Sequence, residues 1–234
     1  MRLHRFYIEQ PLGEELFVEQ SELVHQWISV FRYKCEDEVV LFSSTNVGVD
    51  YIYRITSVNK KEVALSFVSE QKNILPNKNI TLCMAIVKKD TFENIVRYAT
   101  ELGVSKIIPV LASRSEKKNL NLERLNNIAK EASEQSGRGD VPVISEILSF
   151  NNALEEMKGN TNIFTSLYGE ASSELANKGL LKNNLTLWIG PEGGWTPLEE
   201  KLAKENNFHL MKLTETVLKA DTAAICALTS LVLN

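Results

Sequence analysis

The chain has 234 residues, 44% of them hydrophobic and 24% charged, and a formal net charge of −4. This is the composition of a soluble globular protein with room for one large domain or two modest ones. It excludes a bulk electrostatic signal for nucleic acid or membrane, so any nucleic-acid site must be a local basic patch.

The first ten residues, MRLHRFYIEQ, lack the apolar stretch of a signal peptide. Strands are expected over Arg5–Ile8, Glu15–Val18, Glu38–Phe42, Asp50–Val58 and Glu62–Val68, with one short helix, Ser21–Trp27, capped by Ser21. Many short strands with little helix suggest a small β-barrel. The polar, proline-containing stretch Glu70–Asn79 reads as a linker.

Beyond it the pattern alternates between strand and helix. Ile80–Val87 is an apolar strand, and Asp90 or Thr91 caps a helix with Phe92, Ile95, Val96, Ala99 and Leu102 at helical spacing, ended by Gly103. Strand Ile107–Leu111 precedes helix Leu122–Ser136, with Leu125, Ile128, Ala129 and Ala132 inward and Gly137 closing it. Strands Val143–Ile147, Asn162–Leu167, Leu185–Ile189 and His209–Leu213 follow, with helices near Asn152–Lys158, Ser172–Asn177, Pro197–Glu205 and Asp221–Leu233. Such alternation implies a mainly parallel sheet with helices on both faces. The apolar run Ala223–Leu233 is too short to span a bilayer and reads as a helix buried on most sides.

Cys35, Cys83 and Cys226 and the three histidines, His4, His25 and His209, are scattered. No disulfide framework or metal site is expected, and a reducing, cytoplasmic setting fits. Cys83 and Cys226 read as buried small hydrophobes.

The segment richest in chemistry is Trp188-Ile189-Gly190-Pro191-Glu192-Gly193-Gly194-Trp195-Thr196-Pro197-Leu198-Glu199. An apolar strand enters a glycine turn, and a helix starts at once. Thr196 is its N-cap, Pro197 its first residue, and Glu199 completes a T-x-x-E capping box. Glycines let backbone amides and carbonyls approach a ligand directly. The P-loop pattern G-x-x-x-x-G-K-S/T is absent, as is the dinucleotide fingerprint G-x-G-x-x-G. A lone glycine pair is equally well a tight turn with no ligand. Trp188 and Trp195 suit core packing better than base stacking. Arg114, Lys117 and Lys118 form a basic cluster after a strand end, while Arg2, Arg5, Arg32, Lys34 and Arg54 read most simply as solvated charges.

Ile189–Gly194 resembles the signature loop of the SPOUT, or α/β-knot, methyltransferases, and more narrowly that of the bacterial 16S ribosomal RNA uridine-N3 methyltransferases. Four further segments carry the resemblance in order: Arg2–Tyr7; His25–Arg32; Ala99–Val104 with Ile108-Pro109 and Ser113-Arg114-Ser115; and Glu131–Arg138 with Val141-Pro142. The chain departs from the family in its last motif, normally L-G-x-R-I-L-R-T-E-T-A. Here Thr214 replaces the glycine, Thr216 and Lys219 replace two arginines, and Asp221 replaces the glutamate.

The resemblance implies a PUA-like RNA-binding β-barrel over residues 1–72, then a trefoil-knotted α/β methyltransferase domain over 73–234, with a mainly parallel sheet. It implies methyl transfer from S-adenosylmethionine to N3 of a uridine in 16S ribosomal RNA of the small subunit, by a homodimer joined through the knot region. Gly190, Glu192, Gly193, Gly194, Leu213 and Leu218 would hold the cofactor, with Leu167, Pro191, Val217 and Thr222 lining its pocket. Arg2, Arg5, Arg32, Arg114 and Arg138 would contact RNA. Because N3 of uracil must lose a proton, a base or an anion-stabilising cation is expected; the candidates are Arg114, Arg138, Glu192, Lys219 and Asp221. The alternatives are a related enzyme with another RNA target and an RNA-binding homologue that no longer methylates.

Overall fold

The computed structural model describes residues 3–181 and 184–233. Two compact units emerge: Met1–Leu75 with Ser133–Asp140, and Pro76–Ala132 with Val141–Asn234.

The first unit is a five-stranded mixed sheet. Its strands are β1 (Arg5–Tyr7), β2 (Glu15–Val18), β3 (Glu38–Phe42), β4 (Val49–Val58) and β5 (Val63–Lys72), in the order β1-β3-β4-β5-β2. β1 runs parallel to β3 and the remaining pairs are antiparallel. Inward residues such as Phe6, Leu16, Val18, Val39, Leu41, Tyr53 and Ile55 bury a core with Trp27. Helix α1 (Ser21–His25) continues as a π-helical turn, Gln26–Phe31, which carries Trp27 into that core. Two expectations are corrected. Ser21 lies inside α1 and Gln20 is the N-cap, without a side-chain bond. Glu70–Lys72 are strand rather than linker: they extend β5 and pair with Val49–Tyr51. This half of β5 is exposed on both faces, so the backbone ladder forms without the apolar alternation that announces a strand.

The second unit is a seven-stranded sheet. It contains β6 (Ile80–Ala85), β7 (Lys106–Leu111), β8 (Val143–Ile144), β9 (Leu148–Ser149), β10 (Thr161–Ala171), β11 (Leu185–Ile189) and β12 (His209–Lys212). The order is β12-β10-β11-β6-β7-β8, with β9 also on β7, and every pair is parallel. Along β6 successive side chains enter opposite cores: Leu82 and Met84 join one cluster, Cys83 and Ala85 the other. This explains why the strand is apolar throughout. Helices α2 (Lys89–Glu101), α3 (Leu122–Ser136), α5 (Ser172–Asn177) and α7 (Ala220–Leu233) cover the first cluster, while α4 (Phe150–Glu156) and α6 (Pro197–Glu205) cover the second.

Some boundaries differ from expectation. α2 begins at Lys89 with no side-chain cap from Asp90 or Thr91. Of the expected strand Val143–Ile147 only Val143–Ile144 pairs, as β8, and β9 follows at Leu148–Ser149. α7 is one-sided: Ala224, Ala227, Leu228 and Leu231 are buried, whereas Cys226 is exposed. Its overall apolarity hid that stripe, because the exposed side also carries the apolar Cys226, Val232 and Leu233. Cys83 is buried, and burial raises its thiol well above the ordinary range. Among the described residues no helix is long and apolar enough to cross a membrane, and no cluster of His, Cys, Asp and Glu could hold a metal ion.

Candidate functional site

A cavity of about 420 Å³ lies at the carboxyl ends of β11 and β12, beside the point where β10 is interrupted after Thr165. Open α/β sheets bind ligands in this position, and the volume falls in the usual range of about 300–1,000 Å³ for small-molecule sites. Three chain segments supply most of its wall, Thr165–Tyr168 from β10, Ile189–Trp195 after β11 and the stretch from Met211 through the start of α7, and Arg114 and Glu200 complete it.

The middle wall is the glycine turn, and its shape is over-determined. Strand β11 is buried along its whole length. A Cβ on Gly190 would stand 3.1 Å from the indole nitrogen of Trp195, whose ring stacks on Phe164 at 4.6 Å. That indole N–H is buried and unpartnered. Gly194 has φ +67 and its N–H donates to the Pro191 carbonyl at 2.8 Å, closing the turn in a conformation that a side chain rarely adopts. The expected capping box is present. Thr196 Oγ1 accepts the Glu199 N–H at 3.2 Å, and Glu199 Oε2 accepts the Thr196 N–H at 2.7 Å. Glu199 is buried, and its other oxygen accepts the Ser113 N–H at 2.8 Å, tying the segment after β7 to the start of α6.

Arg114 grips the same turn. Its Nη1 donates to the carbonyls of Gly193 at 2.9 Å and Trp195 at 3.1 Å. Glu192 reaches the opposite way: its Oε1 accepts the N–H of Lys88, the N-cap of α2, at 3.2 Å. There the positive end of the helix dipole favours a carboxylate.

The first wall is an interruption of β10. Thr165 and Glu170 both pair with Met211, so Ser166–Gly169 loop out of the ladder. Gly169 makes this possible, because a Cβ there would come within 2.5 Å of the Leu210 carbonyl carbon and 2.6 Å of that of Met211. The loop presents Leu167 and the exposed Tyr168, 82% accessible, to the pocket. Ser166 Oγ accepts the Tyr168 N–H and donates to Glu200 Oε1, both at 3.2 Å.

Of the expected cofactor residues, Leu167, Gly190, Pro191, Glu192, Gly193, Gly194, Leu213, Val217 and Leu218 line the cavity. Thr222 does not; it lies exposed in the first turn of α7, bonded through its N–H to Asp221. Among the candidate catalytic groups the cavity gathers Arg114 and Glu192 but not Arg138, Lys219 or Asp221. Arg138 is buried and forks onto Asp140 with two bonds of 2.8 Å. Arg5, expected on RNA, is corrected to a buried structural residue. It pairs with Asp50 at 2.7 Å and 2.9 Å and lies 4.4 Å over the Phe42 ring. Arg32 is exposed with φ 56. Arg54 is paired with Glu38 at 2.9 Å, and Arg2 lies outside the described residues. Sequence reading missed Ser166, Tyr168, Gly169 and Glu200. None stands in a glycine or capping motif, and a four-residue loop within a strand leaves no period to detect.

The RNA methyltransferase domain model matches residues 74–232, most of the chain. The chain belongs to the RNA methyltransferase domain family. Within that family it is 30% identical to ribosomal RNA small subunit methyltransferase E of Bacillus subtilis, over 98% of this chain and 96% of the relative. It is 29% identical to the protein of the same name from Rickettsia conorii, over 97% and 94%. A solved structure of a ribosomal RNA small subunit methyltransferase E from Neisseria gonorrhoeae, bound to S-adenosyl methionine, superposes with a TM-score of 0.86 at 27% identity, covering 98% of this chain and 96% of that one. For a member of the RNA methyltransferase family, the cavity beside the glycine turn is the place to examine for cofactor.

Proposed function

We propose that this chain transfers a methyl group from S-adenosylmethionine to N3 of a uridine in 16S ribosomal RNA of the small subunit. The observation that carries the reading is the cavity itself. It is walled by the family's glycine turn, in a chain similar over nearly its whole length to a methyltransferase bound to S-adenosyl methionine.

The residues present suit that cofactor. Leu167, Leu213, Val217 and Leu218 offer apolar walls for an adenine, and Gly194, with no atom within 4 Å of where a Cβ would stand, leaves its backbone open beside them. Trp195 fills the space that a side chain on Gly190 would need. When bound, the cofactor supplies an electrophilic methyl group on a sulfonium.

The protein's task is then positional. N3, the methyl carbon and the sulfur must lie in line, which accounts for a large part of such a rate enhancement. The N3 proton must also leave. Glu192 and Arg114 are the expected groups that remain at the cavity, the first to accept a proton and the second to stabilise negative charge on uracil. Arg114 serves the turn first, through Gly193 and Trp195. Among the described residues of the first unit, Arg32 is the expected RNA contact whose side chain stays exposed. The exposed apolar side chains Leu167, Tyr168 and Val217 support a homodimer formed through the second unit, with its C-terminal segment threaded as in the knotted enzymes. A cytoplasmic location follows from the proposed ribosomal substrate.

Mass mapping of 16S ribosomal RNA from cells with and without the gene tests the reaction. N3-methyluridine is expected to disappear from one position in the deletion strain; an unchanged level refutes the uridine-N3 assignment. Calorimetry of the purified chain with S-adenosylmethionine tests the cofactor separately. A folded chain that binds none is the RNA-binding homologue instead.

A further inference from the structure

We propose that Glu200 is a charge-selecting residue of the cavity, favouring a ligand that carries a sulfonium over the same ligand as a neutral thioether. The inference rests on the reading of the cavity as an S-adenosylmethionine site.

Glu200 lies in the first turn of α6, half-buried, and lines the cavity. Its Oε1 accepts from Ser166 Oγ at 3.2 Å, and Ser166 is itself held by the Tyr168 N–H at 3.2 Å. The β10 loop therefore fixes the carboxylate from one side. Among the described residues no lysine or arginine is ion-paired with it. The other charged groups on the wall have partners within the protein: Glu192 on the Lys88 N–H, and Arg114 on the carbonyls of Gly193 and Trp195. The N-terminal end of α6 and the Ser166 hydroxyl stabilise the Glu200 carboxylate, and with no basic side chain paired to it a cationic ligand can supply the counter-charge.

Methyl transfer changes the ligand's charge by one. The S–CH3 bond breaks as the N3–CH3 bond forms, sulfur keeps the electron pair, and the N3 proton goes to a base. The ammonium and carboxylate of the methionine end are unchanged. An attraction between Glu200 and the sulfonium therefore exists before turnover and vanishes after it, which favours loading of the substrate form and release of the product form. Attraction to the ammonium would weaken both ligands alike on removal, so comparing the two ligands isolates the sulfonium.

The experiment is isothermal calorimetry of the full chain with S-adenosylmethionine and with S-adenosylhomocysteine, for wild type, Glu200→Gln and Glu200→Ala. Both variants are expected to bind S-adenosylmethionine about tenfold more weakly and S-adenosylhomocysteine within about twofold of wild type, the size of one screened charge contact. Thermal unfolding of each variant checks the fold, and the alanine variant repeats the test with a different side chain. Equal weakening of both ligands, or of neither, overturns the proposal. A wild-type chain that binds neither ligand overturns the cofactor reading, and this inference with it.

Discussion

The buried carboxylate of Glu199 accepts the backbone N–H of Ser113 at 2.8 Å while its second oxygen closes the cap of α6 on Thr196. One side chain thus joins the residue preceding Arg114 to the helix that follows the glycine turn. Glu199→Ala leaves the Ser113 N–H without its acceptor and opens the capping box. The expected loss is about 2–3 kcal/mol, from a charge-assisted bond and a cap together. Urea unfolding measures it. Glu199→Gln keeps one of the two acceptor oxygens but sets its NH2 against the donors on the other side, so it is expected to lose less than alanine; a loss as large as alanine's would show that both acceptors are required.

Gly169 allows β10 to pass the backbone of β12. An alanine there places Cβ 2.5 Å from the Leu210 carbonyl carbon, a contact relieved only by moving backbone. Gly169→Ala is expected to cost about 1–3 kcal/mol or more and to weaken binding at the cavity, because the Ser166–Tyr168 wall shifts. Gly13→Ala, whose Cβ would meet nothing closer than 3.6 Å, is the control. Thermal unfolding and calorimetry of both variants decide the point; a Gly169→Ala protein as stable as the control would contradict the geometry.

Asp50 and Arg5 form a buried ion pair, their side chains 6% and 7% exposed. Asn73 also donates to Asp50, at 2.5 Å. Asp50→Ala leaves the buried guanidinium without its counter-charge, held by the carbonyls of Ser133 and Arg138, so a loss of about 3–5 kcal/mol is expected. Replacing both partners with apolar residues is expected to recover much of it. A double-mutant cycle by chemical denaturation separates the two outcomes.

Glu93 accepts from Arg124 at 2.6 Å, and that bond holds its carboxyl below the ordinary value of 4.5. A depressed pKa contributes stability above the unfolded value, and the contribution is lost as pH falls through the folded one. Wild type should therefore exceed Glu93→Gln by a constant margin near neutrality, and the margin should shrink as pH drops below 4.5. Arg124 is half-exposed, so the margin is expected to be small and to fall with added salt. Melting curves from pH 7 to pH 3 read it directly; a margin that grows in acid would reverse the assignment.

Much of the second unit was legible from local pattern. Helix Leu122–Ser136, strand Leu185–Ile189 and helix Pro197–Glu205 with its capping box follow from apolar spacing and helix-start chemistry, and all three stand where those signals put them. The glycine turn was equally legible, because glycine and proline act on their own backbone. The two-sided exposure of Ser69–Lys72 and the one-sided burial of α7 depend on neighbours far along the chain, and local pattern misread both.

The sequence by itself determined most strands and helices of the second unit, that its sheet is parallel, and that residues 190–194 form a turn. These properties reside in runs of a few adjacent residues. Only the tertiary structure decided that Arg5 and Arg138 are buried on carboxylates, that Arg114 holds the turn by its carbonyls, and that Ser166 and Glu200 meet at the cavity. A charged side chain looks the same in sequence whether it faces water, a carbonyl or a ligand. Its partner is chosen by strand order and by close approaches such as that of Gly169 to Leu210, which no local pattern encodes.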